Sequence, residues 1–507
     1  MTRQAILSID AGTTGTRAAY VLADSSIHAM EYRRLGVDAR GGGVVEQDAS
    51  RILDSTLDAC RAVIAHAADD GVQLVALALA AQRATGILWD TVTGHPLAPA
   101  VVWQDSRNAS LLGQLGSTWD PLLIERVGRR SGVHSVYLWA AQKLRDAPDV
   151  RRAHAERRLA FGTVDSWLQW HLVGGRSGER AVVSATHATA AGAYRLEDHV
   201  YELEWIEATG LPAELLPEIR EDADDFGCTD PGLLGVALPI RAAVGDQPAG
   251  VIGLGCRSRA VAACIHGTGS FADLMLGDEL PVNPGRYQGT QMVVAQRSHG
   301  RSTFAAETYT PTTGAALDWA CDTAGLFESP KAVSQLASTV RSSRGAAFVP
   351  ALTGVRTPVM EPAARASFTG LSLSTTRAEI ALAVLEGIAH SVTASARANE
   401  SAAGLRASEI IVGGGLAASD PLVQLQADLH GIPVRRLRDT QSASIRGAAF
   451  LAGADGLLWS SMDAAVATLS TDRVCEPSIS ADEREARNDQ WSTRVHQELA
   501  HAGRDAG

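Results

Sequence analysis

Short runs of apolar residues alternate along the chain with apolar residues at helical spacing. Residues 4–10 and 17–23 are two such runs joined by a glycine-bearing turn, which predicts a hairpin of two β-strands. Residues 72–80 form a continuous apolar run, as expected for a strand that is buried on both faces. Strands of this kind that alternate with helices predict an α/β fold.

Helical spacing is clearest in residues 49–68, where apolar positions recur at intervals of four, three and four residues. These positions are Leu53, Leu57, Cys60 and Ile64. Asp48 or Ser50 is expected to cap this helix. Apolar periodicity also predicts helices over residues 161–173 and 376–399 and a last helix around residue 495.

A second hairpin pattern indicates an internal repeat. Residues 260–277, AVAACIHGTGSFADLMLG, again combine an apolar strand, a glycine turn and an apolar strand. Residues 410–419 combine a strand, a glycine turn and the start of a helix. A repeated unit of this size predicts two domains of similar plan, which we place at residues 1–248 and 249–507.

Length and charge limit the classes of function. The chain has 507 residues, enough for two large domains, and its 46% of hydrophobic residues supports filled interiors. The formal net charge is −12, without a block of Lys or Arg. This balance argues against nucleic acid or an anionic membrane as the main partner.

The cysteines and the start of the chain favour a reducing compartment. The cysteines have neither metal-site nor redox spacing; they are Cys60, Cys228, Cys256, Cys264, Cys321 and Cys475. The first residues enter a strand directly, without the pattern of a signal peptide. The longest apolar region, residues 233–256, is interrupted by Arg241 and Asp246. We therefore expect a soluble cytoplasmic protein.

Three glycine turns follow apolar runs, at residues 11–16, 266–270 and 413–416. Glycine permits close backbone approach, so that successive N–H groups can face one anion, and threonine hydroxyls add donors. Each turn alone is also compatible with an ordinary hairpin. Their recurrence favours phosphate binding, and the absence of a GxxxxGK[ST] motif excludes a Walker-type site.

Two aspartates also follow apolar runs. Asp10 precedes the first glycine turn, where it either caps the turn or serves Mg²⁺, which prefers one or two carboxylates together with substrate phosphates. Asp246 lies between Gly245 and Gln247, where a carboxylate can accept the proton of a substrate hydroxyl. Both positions are candidates for chemistry.

Two further motifs are candidates for the substrate side. Gln82 and Arg83 follow the predicted strand of residues 72–80, and open α/β sheets bind ligands at the carboxyl ends of strands. Trp103 can stack on the apolar face of a sugar or polyol, or it can pack in the core.

Together these segments resemble the FGGY carbohydrate kinases, and within them the glycerol kinase branch. The similarity runs from residue 6 to about residue 456. It rests on the order and spacing of ILSIDAGTTGTRA, LAAQRATGILWD, VVWQDSR, FGTVDSWLQW, GDQPAGVIG, HGTGSF, FVPALTGVRTPVMEPAARASFTGLS and VGGGLAASDPLVQLQADLHGIPV. The resemblance implies an α/β protein of two actin-like (ribonuclease H-like) domains that flank a catalytic cleft, with ATP and Mg²⁺ as cofactors.

The resemblance also implies a function for each candidate residue. Asp10 helps to place Mg²⁺, and Asp246 is the catalytic base. The nucleotide-binding positions are Thr13, Thr14, Arg17, Thr268, Gly269, Gly314, Asp318, Gly415 and Ser419. The substrate-binding positions are Arg83, Ala84, Trp103, Leu138, Asp246, Gln247 and Phe271.

Four of these positions depart from the glycerol kinase pattern. Ala84 replaces a glutamate, Leu138 a tyrosine, Asp318 a glutamine and Ser419 an asparagine. Loss of the glutamate removes an acceptor for substrate hydroxyls, and a hydrogen bond to a charged group is worth about 1.5–3 kcal/mol. The smaller side chains at the first two positions also enlarge the pocket. We therefore hypothesise that the substrate is a four- or five-carbon polyol or a ketopentose.

The expected activity is ATP-dependent phosphorylation of a hydroxyl on a small polyol or sugar, by a homodimer. The closest alternative is glycerol kinase proper, with the missing acceptor supplied by another residue such as Tyr137. An ATPase switch of the actin and chaperone superfamily would act on protein partners. The substrate-side cluster argues against it; its residues are Arg83, Trp103, Asp246 and Gln247. The presence of both Asp10 and Asp246 disfavours a catalytically inactive sugar sensor.

Overall fold

The computed structural model describes residues 3–175, 180–281, 289–357 and 360–505. Its strands are β1 Arg3–Ala11, β2 Gly15–Leu22, β3 Ile27–Arg34, β4 Asp38–Arg40, β5 Val44–Gln47, β6 Val72–Ala81, β7 Gly86–Asp90, β8 Ala100–Val101, β9 Leu159–Thr163, β10 Val182–Ser184, β11 Glu218–Arg220, β12 Ile240–Gly245, β13 Val261–His266, β14 Ser270–Gly277, β15 Gln291–Ser298, β16 Arg301–Thr310, β17 Ala347–Val349, β18 Ser367–Thr369, β19 Glu409–Gly414, β20 Val434–Leu437 and β21 Thr471–Cys475. Its helices are α1 Ala49–Asp69, α2 Ala109–Arg126, α3 Val136–Asp146, α4 Pro148–Ala155, α5 Val164–Leu172, α6 Ala185–Ala191, α7 Leu203–Thr209, α8 Pro231–Leu234, α9 Asp246–Gly253, α10 Gly314–Asp318, α11 Pro330–Ala337, α12 Arg377–Ala403, α13 Asp420–His430, α14 Ala443–Gly453, α15 Met462–Val466 and α16 Ala481–Asp505.

The chain forms two compact units whose segments interleave along the sequence. The first unit comprises Met1–Gly255, Met292–Phe304 and Ser442–Leu469. The second comprises Cys256–Gln291, Ala305–Gln441 and Ser470–Gly507. The domain limits of residues 1–248 and 249–507 stay a prediction.

The main sheet of the first unit has the strand order β12-β6-β1-β2-β3. The strands β12, β6 and β1 run parallel, whereas β1, β2 and β3 form an antiparallel meander. The register places Asp10 opposite Ala80, and Ala81 opposite Gly245. The three parallel strands therefore end together. We call the residues that follow the carboxyl ends of β1, β6 and β12, with Asp10 itself, the strand-end edge.

Two helices cover the two faces of this sheet. Alternate residues of β1 point to opposite faces: Leu7 packs in one apolar cluster with α1, and Ile6 packs in another with α14. The helix α14 thus belongs to the first unit, although almost 200 residues separate it from β12 in sequence.

The second unit repeats this plan. In its main sheet, neighbouring strands follow the order β16-β14-β13-β19-β20-β21. The strands β13 and β14 are antiparallel, and β13, β19 and β20 are parallel. In both units a tyrosine ring covers the hairpin glycine: a Cβ on Gly15 would lie 2.4 Å from Tyr32 Cε2, and one on Gly269 2.5 Å from Tyr309 Cε2. The internal repeat predicted from the two hairpin patterns is confirmed.

Most predicted elements agree with the structure. The predicted helix of residues 49–68 is α1, with Asp48 as its cap, and Thr376 opens α12 with a capping box. The prediction for residues 161–173 is wrong at its start. Residues 161–163 belong to the fully buried strand β9, which pairs with β7, and the helix α5 begins at Val164. Along the described part of the chain, no helix is both long and apolar enough to span a membrane.

The crossing of α9 and α14 depends on two glycines. A Cβ on Gly253 would lie 1.8 Å from the carbonyl oxygen of Ala443, and a Cβ on Gly447 would lie 1.8 Å from that of Ala249. Real Cβ atoms do not approach backbone atoms this closely. The helix that carries Asp246 and the helix from the distant segment therefore pack backbone against backbone.

We expect Gly447→Ala to destabilise the first unit, because the helix backbones must move apart to admit the new methyl group. Overpacking of this kind costs about 1–3 kcal/mol. The matched control is Gly113→Ala in α2, where the added Cβ would have no atom within 4 Å. That control should be neutral or stabilising by up to about 1 kcal/mol. Urea unfolding measures both variants, and equal stability of Gly447→Ala and wild type would contradict the close crossing.

Candidate active site

The strand-end edge of the first unit brings together residues that lie more than 200 positions apart in sequence. Asp10 is the second-last residue of β1, Arg83 follows β6 by two residues, and Asp246 follows β12 directly. In parallel sheets, ligands bind outside the carboxyl ends of the strands. The edge therefore carries two carboxylates and a guanidinium at the position where an α/β sheet holds a ligand.

Asp10 is a buried carboxylate, with 8% of its surface exposed. Ser444 Oγ donates to Asp10 Oδ2 at 2.7 Å, and Arg17 Nη1 lies 3.9 Å from the same oxygen. Burial raises the pKa of Asp10 above its ordinary value, and the hydrogen bond from Ser444 and the charge of Arg17 oppose this rise. A desolvated carboxylate of this kind gains from a nearby cation. The sequence did not reveal Ser444, because it lies 434 residues from Asp10.

Arg83 reaches across the backbone of β12 toward Asp246. Its Nε lies 3.7 Å from Asp246 Oδ1, and a Cβ on Gly245 would lie 2.5 Å from Arg83 Cδ. Glycine at position 245 therefore leaves room for the arginine side chain. Asp246 Oδ1 also accepts a hydrogen bond from the backbone N–H of Gln247 at 2.8 Å. The Asp246 carboxylate is thus held by a cation and by the first turn of α9.

A buried hydrogen-bond chain supports the end of β12. The Gly245 N–H donates to Thr186 Oγ1 at 2.9 Å, and Thr186 Oγ1 donates to Asp222 Oδ1 at 2.6 Å. Asp222 also accepts from the backbone N–H of Arg297 at 2.7 Å. Burial raises the pKa of Asp222 to about 7, while the hydrogen bonds from Thr186 act in the opposite direction. Neither Thr186 nor Asp222 is predicted as a site residue from the sequence, since neither lies in a recognisable motif.

The hairpin between β1 and β2 carries the three nucleotide candidates of this unit. Thr13 is half-buried, whereas Thr14 and Arg17 are exposed. The Thr14 carbonyl accepts from Leu35 N–H at 2.9 Å and from the Tyr32 hydroxyl at 3.0 Å. The loop is therefore fixed from outside by β3 and the residue that follows it, which leaves the Thr14 and Arg17 side chains at the surface.

Trp103 lies next to this hairpin. Its indole Nε1 donates to Thr13 Oγ1 at 2.9 Å, and the ring is half-buried. Asp105, two residues further on, is structural: it accepts from the Val45 N–H at 2.7 Å and pairs with Arg107. The structure therefore joins a predicted substrate residue, Trp103, to a predicted phosphate residue, Thr13.

The two altered substrate positions differ in their surroundings. Ala84 is half-buried next to Arg83 and has a left-handed φ of 52°, and its carbonyl accepts from His134 Nε2 at 2.8 Å. Leu138 is in the first turn of α3 and is buried in the hydrophobic core together with Tyr137.

In the second unit, four nucleotide candidates lie close together. The Thr268 carbonyl, in the β13–β14 hairpin, accepts from the Ala315 N–H at 2.9 Å. A Cβ on Gly314 would lie 2.3 Å from the Gly267 carbonyl and 3.3 Å from a methyl group of Leu416. Gly269 directly follows Thr268 in sequence, and Gly415 directly precedes Leu416. Two glycine turns and the start of α10 thus form one cluster, in which Gly267, Thr268 and Gly415 are exposed.

Each remaining candidate of this unit lies two to four residues in sequence from a member of this cluster. Asp318 is the exposed last residue of α10. Ser419 is buried at the start of α13, where it accepts from Ser334 Oγ at 2.8 Å. Phe271 is predicted as a substrate residue and lies on β14 in the second unit. The centroid of its ring is 4.6 Å from the centroid of the Tyr309 ring.

The described residues could hold Mg²⁺ only together with the phosphates of a bound nucleotide. Among the described residues, no group of three or more His, Cys, Asp or Glu side chains forms a metal cage. Mg²⁺ is usually held by one or two carboxylates plus phosphates, and the desolvated Asp10 is suited to that arrangement.

We expect Asp10→Asn to stabilise the protein at neutral pH. Since burial raises the folded pKa of Asp10, the wild type loses stability as the pH rises from the unfolded pKa through the folded pKa, whereas asparagine does not titrate. The gain in melting temperature should therefore be present at pH 7 and vanish below about pH 4. The exposed Asp54→Asn in α1 is the control, with an expected change within about 0.5 kcal/mol at either pH. A loss of stability in Asp10→Asn at pH 7 would contradict this account of the site.

Comparisons with solved structures agree with the fold. The Plasmodium falciparum glycerol kinase structure with ADP superimposes with a TM-score of 0.89, at 22% identity and with 98% of each chain covered. The gluconate kinase of Lactobacillus acidophilus gives a TM-score of 0.84 at 19% identity, covering 99% of this chain and 98% of that one. These similarities establish the two-domain α/β fold.

Comparisons of sequence identify the family. The model of the FGGY carbohydrate kinase N-terminal domain matches residues 5–253, and that of the C-terminal domain matches residues 262–455. Glycerol kinase of Geobacter sp. (strain M21) is 36% identical over 500 residues, covering 97% of this chain and 98% of that protein. Glycerol kinase of Thermus brockianus is 35% identical over 452 residues, covering 88% and 89%. The chain therefore belongs to the FGGY family of carbohydrate kinases, phosphotransferases with an alcohol group as acceptor.

Proposed function

We propose that this kinase transfers a phosphoryl group from ATP to a hydroxyl of a four- or five-carbon polyol or a ketopentose. The observation that carries the proposal is the strand-end edge, where Arg83 Nε and Asp246 Oδ1 are 3.7 Å apart and Ala84 follows the arginine. A carboxylate beside a guanidinium suits an alcohol acceptor, because one group accepts the hydroxyl proton and the other donates to a neighbouring oxygen.

In this proposal Asp246 orients the attacking hydroxyl and accepts its proton. Phosphoryl transfer needs mainly positioning and charge neutralisation, so the base has to act only late in the reaction. Arg83 fixes the carboxylate and binds a second substrate hydroxyl, and Gln247, at the first turn of α9, is a further acceptor-side candidate. The hydrogen bond from the Gly245 N–H to Thr186 Oγ1 fixes the backbone at the end of β12, and this fixes the position of Asp246, the next residue.

For the nucleotide phosphates, we propose the β1–β2 hairpin of the first unit. In the second unit, taken by itself, the glycine cluster is a further candidate for nucleotide binding. In the first unit, the exposed Arg17 provides positive charge for phosphates. In the second unit, Gly415 is exposed and has no side chain, so an anion can approach its backbone closely. Asp10 would hold Mg²⁺ together with the phosphates, and the metal would neutralise charge on the transferred group. A homodimer and a cytoplasmic location remain predictions.

Glycerol kinase proper is the second candidate, favoured by the names of the relatives that are 35–36% identical. Against it stands the alanine at position 84, where the glycerol kinase pattern has a glutamate. Tyr137 is poorly placed to replace this glutamate, because its ring packs against Phe161 in the core and is only 2% exposed.

The choice between the two candidates is tested with a panel of glycerol, erythritol, xylitol and D-xylulose in a coupled ADP-release assay. We expect a four- or five-carbon compound to have the highest kcat/KM. Ala84→Glu should raise kcat/KM for glycerol about ten- to hundredfold, since it restores a charged acceptor. The matched control Ala84→Gln has nearly the same volume without the charge and should gain less. If glycerol is clearly the best substrate of the wild type, the proposal of a longer acceptor is wrong.

Replacement of the proposed base gives an independent test. Asp246→Asn should lower kcat by about 10²–10⁴-fold, because the amide cannot accept the hydroxyl proton. Acceptor binding, measured by calorimetry, should persist, since the amide still makes hydrogen bonds at the same position. An unchanged kcat would exclude Asp246 as the base.

A further inference from the structure

Thr13 is the centre of a closed hydrogen-bond ring in the first unit. Thr13 Oγ1 donates to Gln82 Oε1 at 3.0 Å, Gln82 Nε2 donates to Gln47 Oε1 at 2.8 Å, and Gln47 Nε2 donates to the Thr13 carbonyl at 2.7 Å. The indole of Trp103 adds a fourth bond, from Nε1 to Thr13 Oγ1 at 2.9 Å. Both glutamines are buried, with 0% and 3% of their surfaces exposed.

The donor and the acceptor of every hydrogen bond in this ring are fixed by neighbouring groups that can only donate or only accept. The Gln47 amide faces the carbonyls of Thr13 and Gly36, which can only accept, so its nitrogen must point to them and its oxygen to Gln82. Gln82 must therefore present its own nitrogen to Gln47 and its oxygen to Thr13. At the other end, the Trp103 indole can only donate. The Thr13 hydroxyl is thus fixed as donor to Gln82 and acceptor from Trp103.

This direction has a consequence for the phosphate loop. A hydroxyl has one proton, and the Thr13 hydroxyl uses its proton in the hydrogen bond to Gln82 Oε1. Phosphate oxygens are acceptors and require a donor. The Thr13 side chain therefore has no proton left for a phosphate, unlike its backbone N–H or the exposed side chain of Thr14.

We propose that Thr13 is a positioning residue for the acceptor: its hydroxyl holds the Trp103 indole in place, and it does not bind the nucleotide phosphates. Gln82 and Gln47 keep that hydroxyl in the required orientation. The part of this proposal that concerns the acceptor rests on the proposed function, in which Trp103 contacts the polyol. The hydrogen-bond ring itself does not depend on that function.

The kinetic test compares Thr13→Val with its neighbour Thr14→Val. Thr13→Val keeps the shape of the side chain and removes the hydroxyl, so KM for the best acceptor of the panel should rise about two- to tenfold. KM for ATP should change less than about twofold, and Thr13→Ser, which keeps the hydroxyl, should restore the acceptor KM. Thr14→Val, at a proposed nucleotide position of the same hairpin, should instead act mainly on KM for ATP. The opposite split in Thr13→Val, with a raised KM for ATP and a normal KM for the acceptor, would overturn the proposal.

The structural test does not need enzymatic activity. In a ¹H–¹⁵N spectrum, the indole signal of Trp103 is identified by its loss in Trp103→Phe. That signal should shift in Thr13→Val and in Gln82→Leu, and it should stay in place in Thr14→Val. In the wild-type enzyme its proton should exchange slowly with solvent, a measurement that remains valid if a variant fails to fold. Fast exchange in the wild type, or an unmoved signal in a folded Thr13→Val, would show that the hydroxyl does not hold the indole.

If the indole signal moves as expected but no compound of the panel is phosphorylated, the hydrogen-bond ring stands and the proposed function fails. If the panel finds a substrate but the signal does not move, the proposed function stands and the assignment of Thr13 fails.

Discussion

The parallel register of β12, β6 and β1 is the constraint on which the candidate site depends. Asp10, Arg83 and Asp246 come from distant parts of the sequence, and they lie along one sheet edge because Asp10 is opposite Ala80 and Ala81 is opposite Gly245. A shift of one residue in either pairing would turn each side chain to the other face of the sheet. The register is held in turn by α14, which packs on these strands and meets α9 across paired glycines.

Charge and burial divide the work among the residues of this edge. Asp10 is desolvated and gains from a cation, whereas Asp246 is more exposed and lies beside Arg83. Beneath them, neutral hydrogen bonds hold the backbone at Gly245 and the side chain of Thr13. The reactive groups are therefore few, and most of the polar side chains around them serve to orient those few groups. This is the arrangement that phosphoryl transfer requires, since it depends on positioning more than on covalent chemistry.

The sequence was sufficient for features with local causes. The two hairpins, the helix α1 with its cap at Asp48 and the capping box of α12 follow from apolar spacing and nearby side chains. Features that depend on contacts between distant parts of the chain could not be predicted from the sequence. Residues 161–163 form a strand because β7 is available as a partner. Likewise, Ser444 contacts Asp10, and Trp103 contacts Thr13, only after the chain has folded.

We propose that metal and acceptor bind at one edge of the first unit, two strand spacings or about 10 Å apart. The most direct measurement is the paramagnetic relaxation of acceptor protons by Mn²⁺ in the presence of ADP, in wild type and in Asp10→Asn. We expect strong relaxation of one hydroxymethyl group, at a distance of about 10 Å or less, and loss of this relaxation in Asp10→Asn. Relaxation that is absent in the wild type, or that persists in Asp10→Asn, would contradict it.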